Sequence, residues 1–194
     1  MKDESCRLKV PHQQTLHSNG SAFNFQPSTF NSSLGMPFPE ITRLSPNCDA
    51  TTPHEQLGVV FHHSVIPFDD TIALMTDPAR KVSYHCLIAP DGTRCTLVPD
   101  ASVAWHAGVS SFRGRSGCNA FLLGLSFAGD TYAASLTGDQ LASALEWLGP
   151  RWEKNGWTLE MMTDHRQVAP GRKNDLNPTE WDRVVAALEA KFGK

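Results

Sequence analysis

The sequence predicts an α/β domain, a single unit with a central mixed β-sheet flanked by helices, over residues 41 to 194. Three observations carry this. Short, nearly continuous apolar runs (LGVVF from Leu57, VSYHCLIA from Val82, LLGLSF from Leu122) have the length and composition of buried strands. A proline–glycine turn, Pro90-Asp91-Gly92, folds the second run back on itself as a hairpin. Two later stretches carry the apolar stripe of amphipathic helices, so strands and helices interleave. A chain of 194 residues is long enough to enclose one sizeable core.

Taken in order, residues 1 to 40 are rich in Ser, Asn, Gln and Pro and cannot build a core, so they read as an irregular or disordered lead. Ile41 to Pro53 is a turn-rich approach to the first strand, Leu57 to Ser64. After Pro67, DDTIALMTD reads as a short helix with Asp70 as its cap. Val82 to Ala89 and Thr93 to Val98 form the hairpin, and Ala104 to Gly108 (AWHAG) is a small-residue loop. Leu122 to Phe127 is continuous enough to be a central strand. Thr137 to Asn155 is a helix opened by a capping box of Thr137 and Gln140. Leu141, Leu145, Leu148 and Trp152 share one face, Pro150 should kink or split it, and Gly156 ends it. The last helix has Asn177 as cap, Pro178 in first place and a stripe of Trp181, Val184, Val185, Leu188 and Phe192.

Composition narrows the function. A formal net charge of −3 gives no electrostatic case for nucleic acid, and no apolar run has the length of a membrane span. The first thirty residues lack the apolar segment of a secretory signal. Five cysteines without a CxxC pair suggest reduced thiols and a cytoplasmic setting.

The chemistry gathers in TDHRQVAPGRKND, Thr163 to Asp175. His165 and Asp175 offer an imidazole nitrogen and a carboxylate oxygen, a set that suits zinc. Lys173, two residues from that carboxylate, would share its face in an extended segment. Pro170 and Gly171 predict a fixed loop rather than a helix. A plain polar surface loop fits the same residues. His62, at the end of the first apolar strand, would complete a three-ligand site with one open position, the pattern of catalytic zinc. His63 alternates away from it and reads as a hydrogen-bonding neighbour.

Six strings in order, SPNCD, VVFHHS, VSYHCLIAPDG, AWHAG, CNAFLLGLSF and DHRQVAPGRKND, resemble the zinc-dependent N-acetylmuramoyl-L-alanine amidases, the group of the T7-type lysozyme and the peptidoglycan recognition proteins. The likeness covers roughly residues 41 to 192 and is greatest to the 1,6-anhydro-N-acetylmuramoyl-L-alanine amidases of muropeptide recycling. It implies a groove over zinc on one side of the sheet, with His62, His165 and Asp175 as ligands and Lys173 as a catalytic lysine. Trp105, His106 and Asn119, with His63, would line the substrate side. For Trp105, a plain core role is an equal alternative to a sugar-stacking platform.

Two departures stand out. The recycling enzymes carry a glutamate where LGLSFAG has Ser126, and an arginine where this chain has Gly117. The phage-type branch places a tyrosine before a strand histidine, which here is Tyr84, so Tyr84 is a second catalytic candidate. The implied reaction is hydrolysis of the amide between the muramic lactyl group and L-alanine, on a muropeptide or peptidoglycan fragment. The alternatives are a wall-binding module with lost turnover, motivated by Ser126, and a phage enzyme acting on polymeric wall.

Overall fold

The computed structural model describes residues 36–193. Along the chain, β1 (Glu40–Thr42), β2 (Cys48–Asp49) and β3 (Val59–His63) precede α1 (Phe68–Thr76). Then come β4 (Cys86–Ile88), β5 (Arg94–Thr96), β6 (Val103–Ala104), β7 (Ser111–Phe112), β8 (Arg115–Ser116) and β9 (Leu123–Phe127). The long α2 (Gly138–Asn155), the short β10 (Met162–Asp164) and α3 (His165–Val168), and α4 (Pro178–Phe192) complete the chain. The main sheet has the order β1-β5-β4-β9-β3-β10. Only β4 and β5 pair antiparallel, through the hairpin whose Gly92 sits at φ +83°, a conformation open to glycine. The other neighbours are parallel, so the sheet is mixed.

β3 and β9 are neighbouring interior strands, buried along their whole length, which is why their sequences read as continuous rather than alternating. The period of two still sorts the faces. Val59 and Phe61, with Leu123, Leu125 and Phe127, pack with Trp147, Leu148, Val184 and Leu188 of α2 and α4. Val60 and His62 look the other way, as do their register partners Gly124 and Ser126. That second face is covered by Leu122, Phe121 and Val168 on one side and by Leu87, Ile72 and Met75 on the other. Between these two clusters lie His62 and its neighbours. The caps of the last two long helices follow the sequence: Thr137 and Gln140 form the reciprocal box, and Asn177 accepts from Thr179 N with Pro178 in the first turn.

Several expectations change. Asp70 lies in the first turn of α1 and does not cap it; Pro67 occupies the cap position, without a side-chain bond. α2 runs unbroken through Pro150. A proline there removes one ladder bond, and the burial of Trp147 and Leu148 on the sheet outweighs that loss. Of the lead expected over 1 to 40, residues 1–35 lie outside those described, and Glu40 already opens a strand paired to β5. The segment Thr163 to Asp175 is not all loop, since it holds the end of β10 and the single-turn α3.

Candidate metal centre

Three elements deliver three buried side chains to one point. His62 is held by β3, flanked by β9 and β10. β10 pairs with β3 in the register Asp164↔Phe61, so the next residue, His165, arrives beside His62. Asp164 ends the strand and caps α3, accepting from Gln167 N at 2.8 Å and pairing with Arg166 at 2.9 Å. The chain then turns through Pro170 and Gly171 and brings back Asp175, whose carbonyl accepts from Arg166 N at 2.8 Å. His62 Nδ1 lies 3.0 Å from His165 Nδ1 and 3.2 Å from Asp175 Oδ2, and His165 Nδ1 lies 3.1 Å from the same oxygen. Among the described residues this trio forms a group able to hold a metal ion.

The electrostatics suit a cation. Burial, reinforced by the neighbouring His165, pulls the His62 pKa down to about 4, so its ring is neutral at neutral pH. Asp175 Oδ2 faces both Nδ1 atoms, at 3.2 Å from His62 and 3.1 Å from His165. Two imidazole nitrogens and one carboxylate oxygen, all within hydrogen-bond distance and aimed at each other, are electron-rich donors that a cation between them would satisfy. Their outer contacts are also fixed: His62 Nε2 to His106 Nδ1 at 3.0 Å, and His165 Nε2 to the Ala107 carbonyl at 3.2 Å.

The remaining candidates spread out. Lys173 is exposed on the returning loop, and its ammonium is close enough to disfavour charge on His62. The Tyr84 ring lies 5.1 Å from the His62 ring, and burial pushes its phenol pKa up, so it stays protonated. Ser126, the strand partner of His62, is fully buried; the Tyr84 hydroxyl approaches its Oγ without completing a hydrogen bond. Trp105 is half-buried and ties its backbone to Ser83.

Three residues expected on the substrate side are engaged by the protein itself. His63 is buried away from the donors, in contact with Thr131 Oγ1 at 2.6 Å, because alternation along β3 turns it to the other face. His106 is buried beneath His62 rather than lining a groove. Asn119 turns its amide oxygen to the backbone of His106 and Ala107. One contributor had no separate signal in the sequence: Arg172 donates to the carbonyls of Ala107 and Val109, clamping the AWHAG loop to the loop of Lys173 and Asp175. Beside that clamp opens a cleft of about 330 Å³, lined by Ser110, Ser111, Ser116, Val168 and Pro170.

Comparison with known proteins places this arrangement. The 1,6-anhydro-N-acetylmuramyl-L-alanine amidase AmpD of Citrobacter freundii is 42% identical over 111 residues, 56% of this chain and 58% of that protein. The N-acetylmuramoyl-L-alanine amidase AmiD of Escherichia coli is 28% identical over 143 residues, 66% of this chain and 51% of that protein. The chain thus spans little more than half the length of these curated relatives. A crystal structure of an AmpD derivative superposes with a TM-score of 0.65 at 28% identity, covering 77% of this chain and 93% of that one. Residues 53–178, which include His62, His165 and Asp175, match the N-acetylmuramoyl-L-alanine amidase family, and the chain belongs to that family.

Proposed function

We propose that the chain is a zinc-dependent amidase that hydrolyses the bond between the lactyl group of N-acetylmuramic or 1,6-anhydro-N-acetylmuramic acid and L-alanine, in muropeptide recycling. The observation that carries this is the donor triangle of His62, His165 and Asp175, with sides of 3.0, 3.1 and 3.2 Å. A tetrahedral zinc ion with ligands at about 2.0 to 2.1 Å separates them by about 3.3 Å, so small shifts would seat it. When bound, zinc would lower the pKa of a water in its open position and polarise the substrate carbonyl.

The chain's own residues do the rest. Asp175 and the two neutral imidazoles leave a bound divalent ion with a net positive charge. Lys173, cationic and two residues from Asp175, faces the negative charge that develops on the carbonyl oxygen. Tyr84, held protonated, supplies one directed hydrogen bond. Trp105 offers a half-buried aromatic face to the sugar. The names of the relatives support a muropeptide substrate. Four described cysteines are free, three of them buried, which fits a cytoplasmic setting. The test is release of L-alanyl peptide from anhydro-muropeptide by the full chain, with and without a chelator. Release that stops on chelation and returns with zinc is expected. No release from either anhydro-muropeptide or polymeric wall, with zinc bound, would leave the chain a binding module, the reading Ser126 motivates.

A further inference from the structure

Two adjacent residues hold the outer nitrogens of both metal-facing histidines. His106 Nδ1 lies 3.0 Å from His62 Nε2, and the Ala107 carbonyl lies 3.2 Å from His165 Nε2. His106 Nε2 in turn lies 2.9 Å from the Leu122 carbonyl. A carbonyl oxygen only accepts, so His106 Nε2 and His165 Nε2 each carry a hydrogen. A ring as enclosed as His106 is neutral, which makes its Nδ1 an acceptor and puts a hydrogen on His62 Nε2. Both Nδ1 atoms that face Asp175 are thereby left bare.

The seat of this pair is built from distant chain segments. Asn119 Oδ1 accepts from His106 N at 3.2 Å and from Ala107 N at 2.7 Å, so one amide oxygen pins both residues. Beneath the ring, β9 presents Gly124, where an added Cβ would fall 2.5 Å from His106 Cγ. The glycine is what lets the imidazole lie flat on the strand.

We propose that His106 and Asn119 are positioning residues of the metal centre: together they fix the tautomer and orientation of His62 and His165, and neither touches substrate. The inference rests on the metal-binding reading above. Outer partners of this kind typically change metal affinity by roughly 10- to 100-fold.

The test measures the zinc dissociation constant of the full chain by chelator competition, with the visible spectrum of the cobalt-substituted protein as a geometric readout. His106→Leu should weaken zinc by roughly 10- to 100-fold and alter the cobalt spectrum. His106→Gln, whose amide can accept from His62 and donate to Leu122, should recover most of the affinity. Asn119→Ala should weaken zinc, and Asn119→Asp, which keeps the acceptor, should not. Gly124→Ala probes the same seat without changing any polar group and should resemble His106→Leu. If His106→Leu does not fold without metal, Asn119→Ala and Gly124→Ala carry the comparison. Unchanged zinc affinity and cobalt spectra in all three would overturn the proposal. So would an effect confined to KM for muropeptide, which would make His106 a groove residue. Failure of the wild type to bind zinc would instead remove the metal-centre reading itself.

Discussion

Ser126 is the direct strand partner of His62, and its buried hydroxyl completes no hydrogen bond among the described residues. Across the same space stands the Tyr84 phenol, kept protonated by burial. A hydroxyl with a pKa far above neutrality is no base, so Ser126 does not take a proton from water. Tyr84 is close to His62 and has a hydrogen to give. Tyr84→Phe is therefore expected to lower kcat by roughly 10- to 1000-fold with zinc retained, and Ser126→Ala to change it little. Steady-state kinetics on anhydro-muropeptide with parallel metal analysis decide it, and the opposite ranking would assign the role to Ser126.

Lys173 projects from a loop fixed at several points. Its own N–H bonds to the Ala169 carbonyl at 3.1 Å, and the next carbonyl, of Asn174, accepts from Tyr132 at 2.9 Å. Arg172 is anchored to the AWHAG loop. The backbone is thus set while the ammonium stays in solvent reach. Lys173→Ala should keep the metal and reduce kcat by roughly 10²-fold or more, the scale of a lost oxyanion partner. A variant with most of its kcat would make Lys173 a solvated surface residue.

The convergence of His62, His165 and Asp175 was legible because their residue types are informative and two of them stand at a structural punctuation mark: His62 at the end of an apolar run, Asp175 after Pro170 and Gly171. The main strands and the two long helices were legible from their apolar pattern and caps. What escaped was short or depended on distant partners. β1 and β10 have three residues each, too few for a period to show, and α3 has four. AWHAG reads locally as a small-residue loop. Nothing near it shows that Gly124 clears space for the His106 ring or that Asn119 holds its backbone. His63 was legible as turned away from His62, since alternation along a strand requires it.

The same alternation gives a sharp metal test. His62→Ala should abolish zinc binding and activity together, because it removes one of the three proposed ligands. His63→Ala should retain zinc, since its ring meets Thr131 on the other face. Its cost should be stability, about 1 to 3 kcal/mol for the buried partners left unpaired. Metal content by atomic absorption, with denaturant titration, separates the two. Zinc lost from His63→Ala but kept by His62→Ala would reverse the register of β3.

A last prediction concerns acid. His85 is buried beside His54 and His106, their ring centres 5.1 and 5.8 Å away, and no carboxylate among the described residues pairs with it. Its Nδ1 accepts from Gly124 N at 2.8 Å and its Nε2 donates to the Ser102 carbonyl at 3.1 Å, so the neutral ring is fully used. Burial, with the neighbouring His54, pulls its pKa down to about 3. In the unfolded chain the same group titrates near 6.5. Below that value the unfolded state binds a proton that the folded state refuses. The stability contributed by this group is therefore whole above about pH 6.5 and is lost at up to about 1.4 kcal/mol per pH unit as pH falls towards 3. His54, also lowered by burial, acts in the same direction. Guanidinium unfolding of the chelator-treated protein between about pH 6.5 and 4.5 should show stability falling, and His85→Gln should remove close to one proton from the slope. An equal slope in wild type and variant would mean that His85 takes up its proton without unfolding the domain.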